Sequence, residues 1–265
     1  MISLFHRLVT AGVLAVWGSV LLALYFTGRI GAYLHPSFQL FALVAGCALV
    51  CLAFLVLIAP ESGSAHGSAA RSSVRLSLTA LILVVPLLLA FFHSSGSFGA
   101  STVANRTYVQ DIAQLPGAPS RSTADGSKAP SATAAPEDKF GFPKNQQGQI
   151  QAQLMDFLYA AKLPEVREQL ENQPVEIIGQ LMPAKTNNAK GNRYVVIRMF
   201  MTCCAADAQP VAIPIEPLQK PDLPDMTWVR VTGTAAFPVE GGQRKPLIQN
   251  SVIEKIEPPE AANLY

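Results

Sequence analysis

Three long apolar runs fill the first third of the chain, and an alternation of apolar and polar positions with period two dominates its last third. The runs Leu8–Phe26, Phe38–Ala59 and Leu76–Phe92 are each of a length to cross a bilayer, for which a helix needs about 20 apolar residues. Pro86 lies inside the third run, where neighbouring helices can satisfy the carbonyl it frees. The first run is long for a signal peptide and no small-x-small site follows it before Arg29, so it is read as a retained span.

From Gln149 to Lys162 the period is helical, with Ile150, Leu154, Phe157, Leu158 and Ala161 on one face, and Pro164 ends or restarts the helix. After Pro174 five strands are predicted: Val175–Met182, Arg193–Thr202, Pro210–Ile215, Trp228–Phe237 and Leu247–Ile256. Turn-forming clusters separate them, NNAKGN before the second and EGGQRKP before the fifth. Five short strands after a helix fit a small closed barrel of the OB type, with a small open sheet capped by the helix as the alternative. Between the apolar runs and this domain, residues 94–143 are rich in Ala, Ser, Thr, Gly and Pro. Such a stretch buries too little apolar surface to offset its ordering entropy, which predicts a flexible tether. The expected architecture is a membrane-anchored α+β protein. Residues 1–93 form a three-helix transmembrane anchor, 94–148 a tether, and 149–265 a helix followed by an OB-like β-barrel of five strands.

Composition supports the membrane reading: half the residues are apolar, 14% are charged and the mean hydropathy is +0.28. The net charge of +2 is small and spread out, which argues against a nucleic-acid partner. Arg7, Arg71 and Arg75 fall on one side of the spans, and Arg29 and Arg106 on the other. The excess places the N-terminus inside and the C-terminal domain outside the cytoplasm.

Candidate chemistry concentrates at the end of the second strand, where Cys203 and Cys204 are followed by Asp207. Strand alternation puts Val195, Ile197, Met199, Met201 and Cys203 on one face, expected to be the barrel interior. Tyr194, Val196, Arg198, Phe200, Thr202 and Cys204 take the other. Adjacent Cα atoms lie about 3.8 Å apart, short of the usual disulfide separation, so a vicinal bond would be strained and easily reduced. All four histidines, His6, His35, His66 and His93, precede the domain. Ordinary zinc sites and thiol or serine catalysis draw on histidine, so neither an enzyme nor a resident cofactor is expected. A soft ion such as Cu(I) on Cys203, Cys204 and Asp207, or a site shared with another chain, stays open. Arg198 could lower the pKa of Cys204, but six residues of straight strand span roughly 20 Å, beyond a close ion pair. Asp207 is also a plausible turn former and Trp228 a core or rim residue. Cys47 and Cys51, at i and i+4, read as small packing residues at a helix interface. The residues taken as ligand or partner contacts are Cys203, Cys204, Asp207, Arg198 and Trp228.

Arg198, the run Cys204-Ala205-Ala206-Asp207 and the stretch Trp228-Val229-Arg230-Val231-Thr232-Gly233-Thr234 together resemble the YcgQ-like bacterial membrane proteins, permease subunits whose soluble part is a domain of unknown function. The resemblance covers most of the chain. It implies the bacterial inner membrane, a larger multi-span permease as partner and an accessory role in transport. Some relatives carry a His-rich loop between the second and third spans; here that loop holds only His66. The alternative function is an extracytoplasmic thiol or metal-binding protein centred on Cys203, Cys204 and Asp207.

Overall fold

A computed structural model describes residues 2–59, 69–93, 98–115, 141–186, 188, 191–259 and 261–265. They divide into two compact units, Met1–Ser97 with Cys203–Ala206, and Phe98–Thr202 with Asp207–Tyr265. The loop carrying His66 lies outside the described residues, as do residues 116–140 of the expected tether.

In the first unit the apolar runs form helices α1 (Ile2–Phe26), α2 (Pro36–Ile58) and α3 (Ala69–His93). Each contains a segment long and apolar enough to cross a membrane: Leu4–Phe26, Pro36–Ile58 and Arg75–Phe92. Helix α2 starts cleanly because Pro36 is pre-set for its first turn and Nδ1 of His35 accepts from the Ser37 amide at 3.2 Å. Two helix ends are closed by arginine. Arg7 donates to the carbonyls of Val56, at 3.1 Å, and Leu57, while Arg29 donates to that of Phe91 at 3.1 Å and stands 5.2 Å over its ring. The last carbonyls of a helix have no intrahelical donor, and leaving them bare near hydrocarbon is costly.

Helices α1 and α2 meet at glycine. A Cβ on Gly18 would sit 2.8 Å from Val50 Cγ2 and 2.9 Å from the Gly46 carbonyl, and one on Gly46 would sit 3.1 Å from the Leu22 side chain. Small residues at such a contact let two backbones approach, the main source of attraction between helices in lipid. Gly18→Leu is therefore expected to part α1 from α2 at a cost of about 1–3 kcal/mol. Full-length protein in the membrane fraction should fall for this variant and hold for Gly12→Leu, since nothing lies within 4 Å of a Cβ at Gly12. Cys47 and Cys51 lie elsewhere on α2. Both are exposed within the chain, off this contact, because the glycine-bearing face of α2 and not the cysteine face turns toward α1.

The second unit opens with a short helix, α4 (Ala100–Ala104), inside the stretch expected as tether. Val109 then bridges Val211 in parallel, its amide donating to the Pro210 carbonyl at 2.8 Å and its carbonyl accepting from Ala212 at 3.1 Å. Strand β1 (Ile150–Gln151) precedes helices α5 (Leu154–Lys162) and α6 (Pro164–Leu170). Helix α5 begins four residues after Ile150 because the Asp156 carboxylate accepts from the Gln153 amide at 2.7 Å, fixing the first turn there. Strands β2 (Pro174–Pro183), β3 (Tyr194–Phe200), β4 (Gln209–Pro217) and β5 (Thr227–Ala236) follow, then β6 (Val239–Glu240), β7 (Gln243–Arg244) and β8 (Leu247–Lys255). The five long strands lie within two residues of the predicted ones. β6 and β7 form a hairpin whose two-residue loop, Gly241-Gly242, has φ of 61° and 79° at its centre, the left-handed geometry that suits a tight hairpin.

The main sheet is mixed, in the order β1-β2-β3-β4-β8-β5, and β2 also pairs with β5. β1 runs parallel to β2 and β4 parallel to β8, while the β2–β3, β3–β4, β2–β5 and β5–β8 pairs are antiparallel. One apolar core joins Val175, Ile177 and Leu181 of β2, Tyr194 and Val196 of β3, and Val211, Ile213 and Ile215 of β4 to Leu154, Phe157 and Leu158 of α5. Phe157 stacks on Phe237 with centroids 6.2 Å apart. The core therefore takes the face of β3 opposite to the expected one. Val195, Ile197, Met199 and Met201 are buried as well but outside this cluster, so β3 is covered on both faces and its alternation carries no phase.

Candidate functional site

β3 ends at Phe200, and the chain turns through Thr202 to Asp207 before β4. Asp207 Oδ1 accepts from the Thr202 amide at 3.2 Å, so the carboxylate closes the turn across five residues. Cys203 is exposed and Cys204 half-buried; neither is in a disulfide, and their Sγ atoms are 3.6 Å apart. Strand alternation has ended by this point, and the two sulfurs converge instead of pointing to opposite faces.

Within the first unit, residues Cys203–Ala206 lie beside the connection between α1 and α2. The His35 amide donates to the Cys203 carbonyl at 3.0 Å, the Ala205 amide to the Tyr33 carbonyl at 2.8 Å, and Leu34 and Cys204 form an antiparallel bridge. The backbone around the thiols is thus fixed on both sides of Cys204 while the Cys203 side chain stays open. A bulky water-soluble maleimide should modify Cys203 first, and Cys203→Ala should remove the fast phase of labelling. Equal rates for the two chains would show that Cys204 is the accessible thiol.

Arg198 is turned elsewhere. Its Nε donates to the Ala262 carbonyl at 3.3 Å and its Nη2 to those of Ala261 and, at 3.2 Å, Asn263. Burial pulls the guanidinium pKa below its ordinary value, against the opposing pull of Tyr265. Next to this clamp, the Leu264 amide donates to the Met199 carbonyl at 2.7 Å and the Met201 amide to the Leu264 carbonyl at 2.9 Å, and the Leu264 side chain is buried. Arg198 therefore holds residues 261–264 along β3. Trp228 is buried at the start of β5, opposite Gln180, and its carbonyl accepts from the Ile256 amide at 3.0 Å. Of the five residues singled out in the sequence, Cys203, Cys204 and Asp207 share one turn; Arg198 lies on β3 with its side chain engaged by residues 261–263, and Trp228 lies on β5.

Donors for a metal are sparse. No three His, Cys, Asp or Glu side chains converge among the described residues. The thiol pair could supply two soft ligands, and the remaining ones would have to come from solvent, substrate or another chain.

A second feature escaped the sequence. Three separated segments border a narrow cleft in the second unit: Tyr108 beside the Val109 bridge, Lys185 and Arg193 from the β2–β3 connection and start of β3, and Glu240 and Lys245 around the β6–β7 hairpin. Pro214, Pro238 and Pro246 line its walls. Lys185 Nζ stands 4.6 Å over the Tyr108 ring, and Arg193 pairs with Glu216 at 2.8 Å and Glu240 at 3.1 Å. These bonds, chiefly that to Glu216, hold the Arg193 pKa above its ordinary value despite partial burial. The only local signal was the cluster of basic residues in the two turns, which reads as ordinary loop composition.

Residues 9–109 match the DUF1980 N-terminal domain, and residues 134–265 the DUF1980 C-terminal domain. No curated protein matches the chain.

Proposed function

The chain belongs to the DUF1980 family, in keeping with the YcgQ-like resemblance, and from that premise we propose that it is an accessory subunit of a membrane permease complex. It sits in the bacterial inner membrane and presents its sheet domain outside the cytoplasm to substrate or to a larger multi-span partner. The observation that carries the reading is the contrast between its helices and its sheet domain. Three helices are long and apolar enough to span, yet Leu8–Phe26, Phe38–Ile58 and Leu76–Phe92 contain no Asp, Glu, Lys, Arg or His. Helices that conduct ions or polar solutes place such groups inside the membrane, so the chemistry of transport falls to a partner. The sheet domain is read as an OB-like barrel. Supporting this, β2 pairs with β3 along one edge and β5 along the other, so that β2-β3-β4-β8-β5 returns to its start. The arginine bias of the span ends supports the outside location. A binding role and not an enzymatic one fits a domain without histidine.

Mild-detergent extraction of tagged full-length protein tests the complex. Recovery with a multi-span protein in fixed ratio is the expected outcome, and recovery of this chain alone at native expression level counts against it. A second reading, a thiol or soft-metal binder, is favoured by the 3.6 Å approach of the two sulfurs. Thiol titration with Cu(I), Zn(II) or trivalent arsenic present should show protection of both cysteines; unchanged reactivity with all three sinks it.

A further inference from the structure

We infer that the groove between β8 and the connection from β4 to β5 takes an extended peptide segment of another protein, added to the edge of β8 as a further strand. The segment carries aliphatic side chains at alternate positions and an acidic residue opposite Lys255.

β8 pairs with β5 along its length, from Leu247 opposite Ala236 to Lys255 opposite Val229. On its other edge it meets β4 only at Ile248 and Ser251, because β4 ends at Pro217 and the chain leaves the sheet. There the Leu218 amide donates to the Ser251 carbonyl at 3.0 Å. The phase of the β5–β8 ladder fixes what lies beyond. The register sets Ile256 opposite Trp228, and the Ile256 amide donates to the Trp228 carbonyl at 3.0 Å, so this is a hydrogen-bonded pair. Bonded and non-bonded pairs alternate in an antiparallel ladder. Glu254 with Arg230 and Val252 with Thr232 are therefore the bonded pairs, and the amides and carbonyls of Ile253 and Lys255 turn away from β5. Among the described residues, no hydrogen bond reaches them on that side. Donor and acceptor repeating at every second residue match the edge of one more extended chain.

A groove of about 410 Å³ follows this edge, with Leu218 to Leu223 as one wall and Ser251, Val252, Ile253 and Lys255 as the other. Sites that enclose a small ligand measure about 300–1,000 Å³, so a few residues of peptide fit. Leu218 and Val252 are 65% and 56% exposed beside it, and aliphatic side chains of an added strand would cover them. At the end where β4 and β8 part, Ser251 is 1% exposed and its hydroxyl has no hydrogen-bond partner among the described residues. A buried polar group left unpaired is costly, and a peptide group entering that end of the groove relieves it.

Charge decides against a second copy of this chain as the occupant. Two β8 edges related by a two-fold axis must set outward residues against outward ones, so the axis falls on Ile253, Glu254 or Lys255. An axis at Glu254 or at Lys255 places that residue against itself, and like charges directly opposite are destabilising. An axis at Ile253 places Lys255 against Ser251, whose carbonyl Leu218 already holds. Glu254 is engaged by Arg230 at 3.0 Å, whereas Lys255 makes no ion pair among the described residues, so an acidic residue opposite it completes a cross-strand pair.

Titration of the full-length protein in detergent with the end-capped, fluorescein-labelled peptide Thr-Val-Glu-Val-Thr, followed by anisotropy, tests the groove. Saturable binding with a Kd on the order of a millimolar or tighter is expected. N-methyl groups on the two valines block one edge of the peptide, and N-methyl groups on the threonines and glutamate block the other. One set should abolish binding and the other leave it within about threefold, because a strand added to an edge bonds along one side alone. Lys255→Pro removes an outward amide that β5 does not use, and proline is accepted at such an edge, so binding should weaken about fivefold or more while the melting temperature holds. Lys255→Gln, which keeps the amide and loses only the charge pair, should weaken it about threefold or less. The proposal is overturned by absence of saturation with the parent peptide, by equal loss from both sets of N-methyl groups, or by unchanged binding in Lys255→Pro.

Discussion

Gly179→Val is expected to unfold the sheet domain at ambient temperature or bring it close to unfolding. Gly179 lies in β2 at the point where that strand pairs on both edges, with Val229 opposite it on β5 and its neighbour Gln180 opposite Ile197 on β3. A Cβ there would stand 2.6 Å from Val196 Cγ1 and 2.8 Å from the Ile197 carbonyl oxygen. The side chain of Val196 is fixed in the core and the carbonyl belongs to the sheet, so neither can move aside cheaply. Overpacking of this kind costs about 3 kcal/mol or more, a large part of the roughly 5–15 kcal/mol that holds a typical domain together. Gly233 is confined in the same way, 2.6 Å from Ile248 Cγ2 and 2.7 Å from the Gln249 carbonyl oxygen. Gly191 provides the contrast. Its φ is 65°, but nothing lies within 4 Å of a Cβ, so Gly191→Ala should lose only about 1 kcal/mol of backbone preference. Chemical denaturation followed by tryptophan fluorescence separates the two cases. A Gly179→Val domain within 1 kcal/mol of the parent would mean that β2 and β3 do not approach as closely as described.

Elements governed by local pattern were legible from the residues alone. Uniform hydropathy marks α1 to α3, period two marks the five long strands, and prolines and glycines mark their ends. What escaped depends on contacts between distant segments. β1 is two residues long and continues the apolar face of α5, so periodicity assigned it to the helix. The segment around Tyr108 and Val109 has the composition of a spacer and is ordered by backbone pairing with β4, for which composition is no guide. The face of β3 that enters the core is not fixed by the pattern, because both faces are apolar and alternation alone does not say which one turns inward.

The candidate site divides along the same line. The turn with Cys203, Cys204 and Asp207 was evident from its residue types and its place after a strand, but convergence of the two sulfurs depends on the turn that breaks the alternation. The cleft at Lys185, Arg193 and Lys245 could not be read at all, since it is assembled from three segments separated by tens of residues.

Arg198→Leu is expected to release residues 261–264 from β3 while leaving the thiols as reactive as before. Nε and Nη2 of Arg198 reach three successive carbonyls, Ala261, Ala262 and Asn263, and the strand pairing at Met199 and Met201 completes the attachment. Leucine fills much of the same volume but leaves those carbonyls without their charged donor, a loss of about 2–3 kcal/mol. That exceeds what burial of the single Leu264 side chain returns, roughly 1.5–3 kcal/mol less the entropy of ordering the segment. The segment should therefore become accessible to limited proteolysis in Arg198→Leu and stay protected in the parent, with Leu264→Ala producing a milder form of the same change. Arg198→Lys should not rescue it, because one ammonium cannot repeat the planar spread of a guanidinium across three carbonyls. Thiol labelling separates this from the competing role. If Arg198 lowered the pKa of Cys204, the pH profile of maleimide reaction would move upward in Arg198→Leu; a profile that stays in place, together with the exposed segment, assigns the arginine to the sheet edge and leaves Cys203 and Cys204 to act without a cationic neighbour from β3.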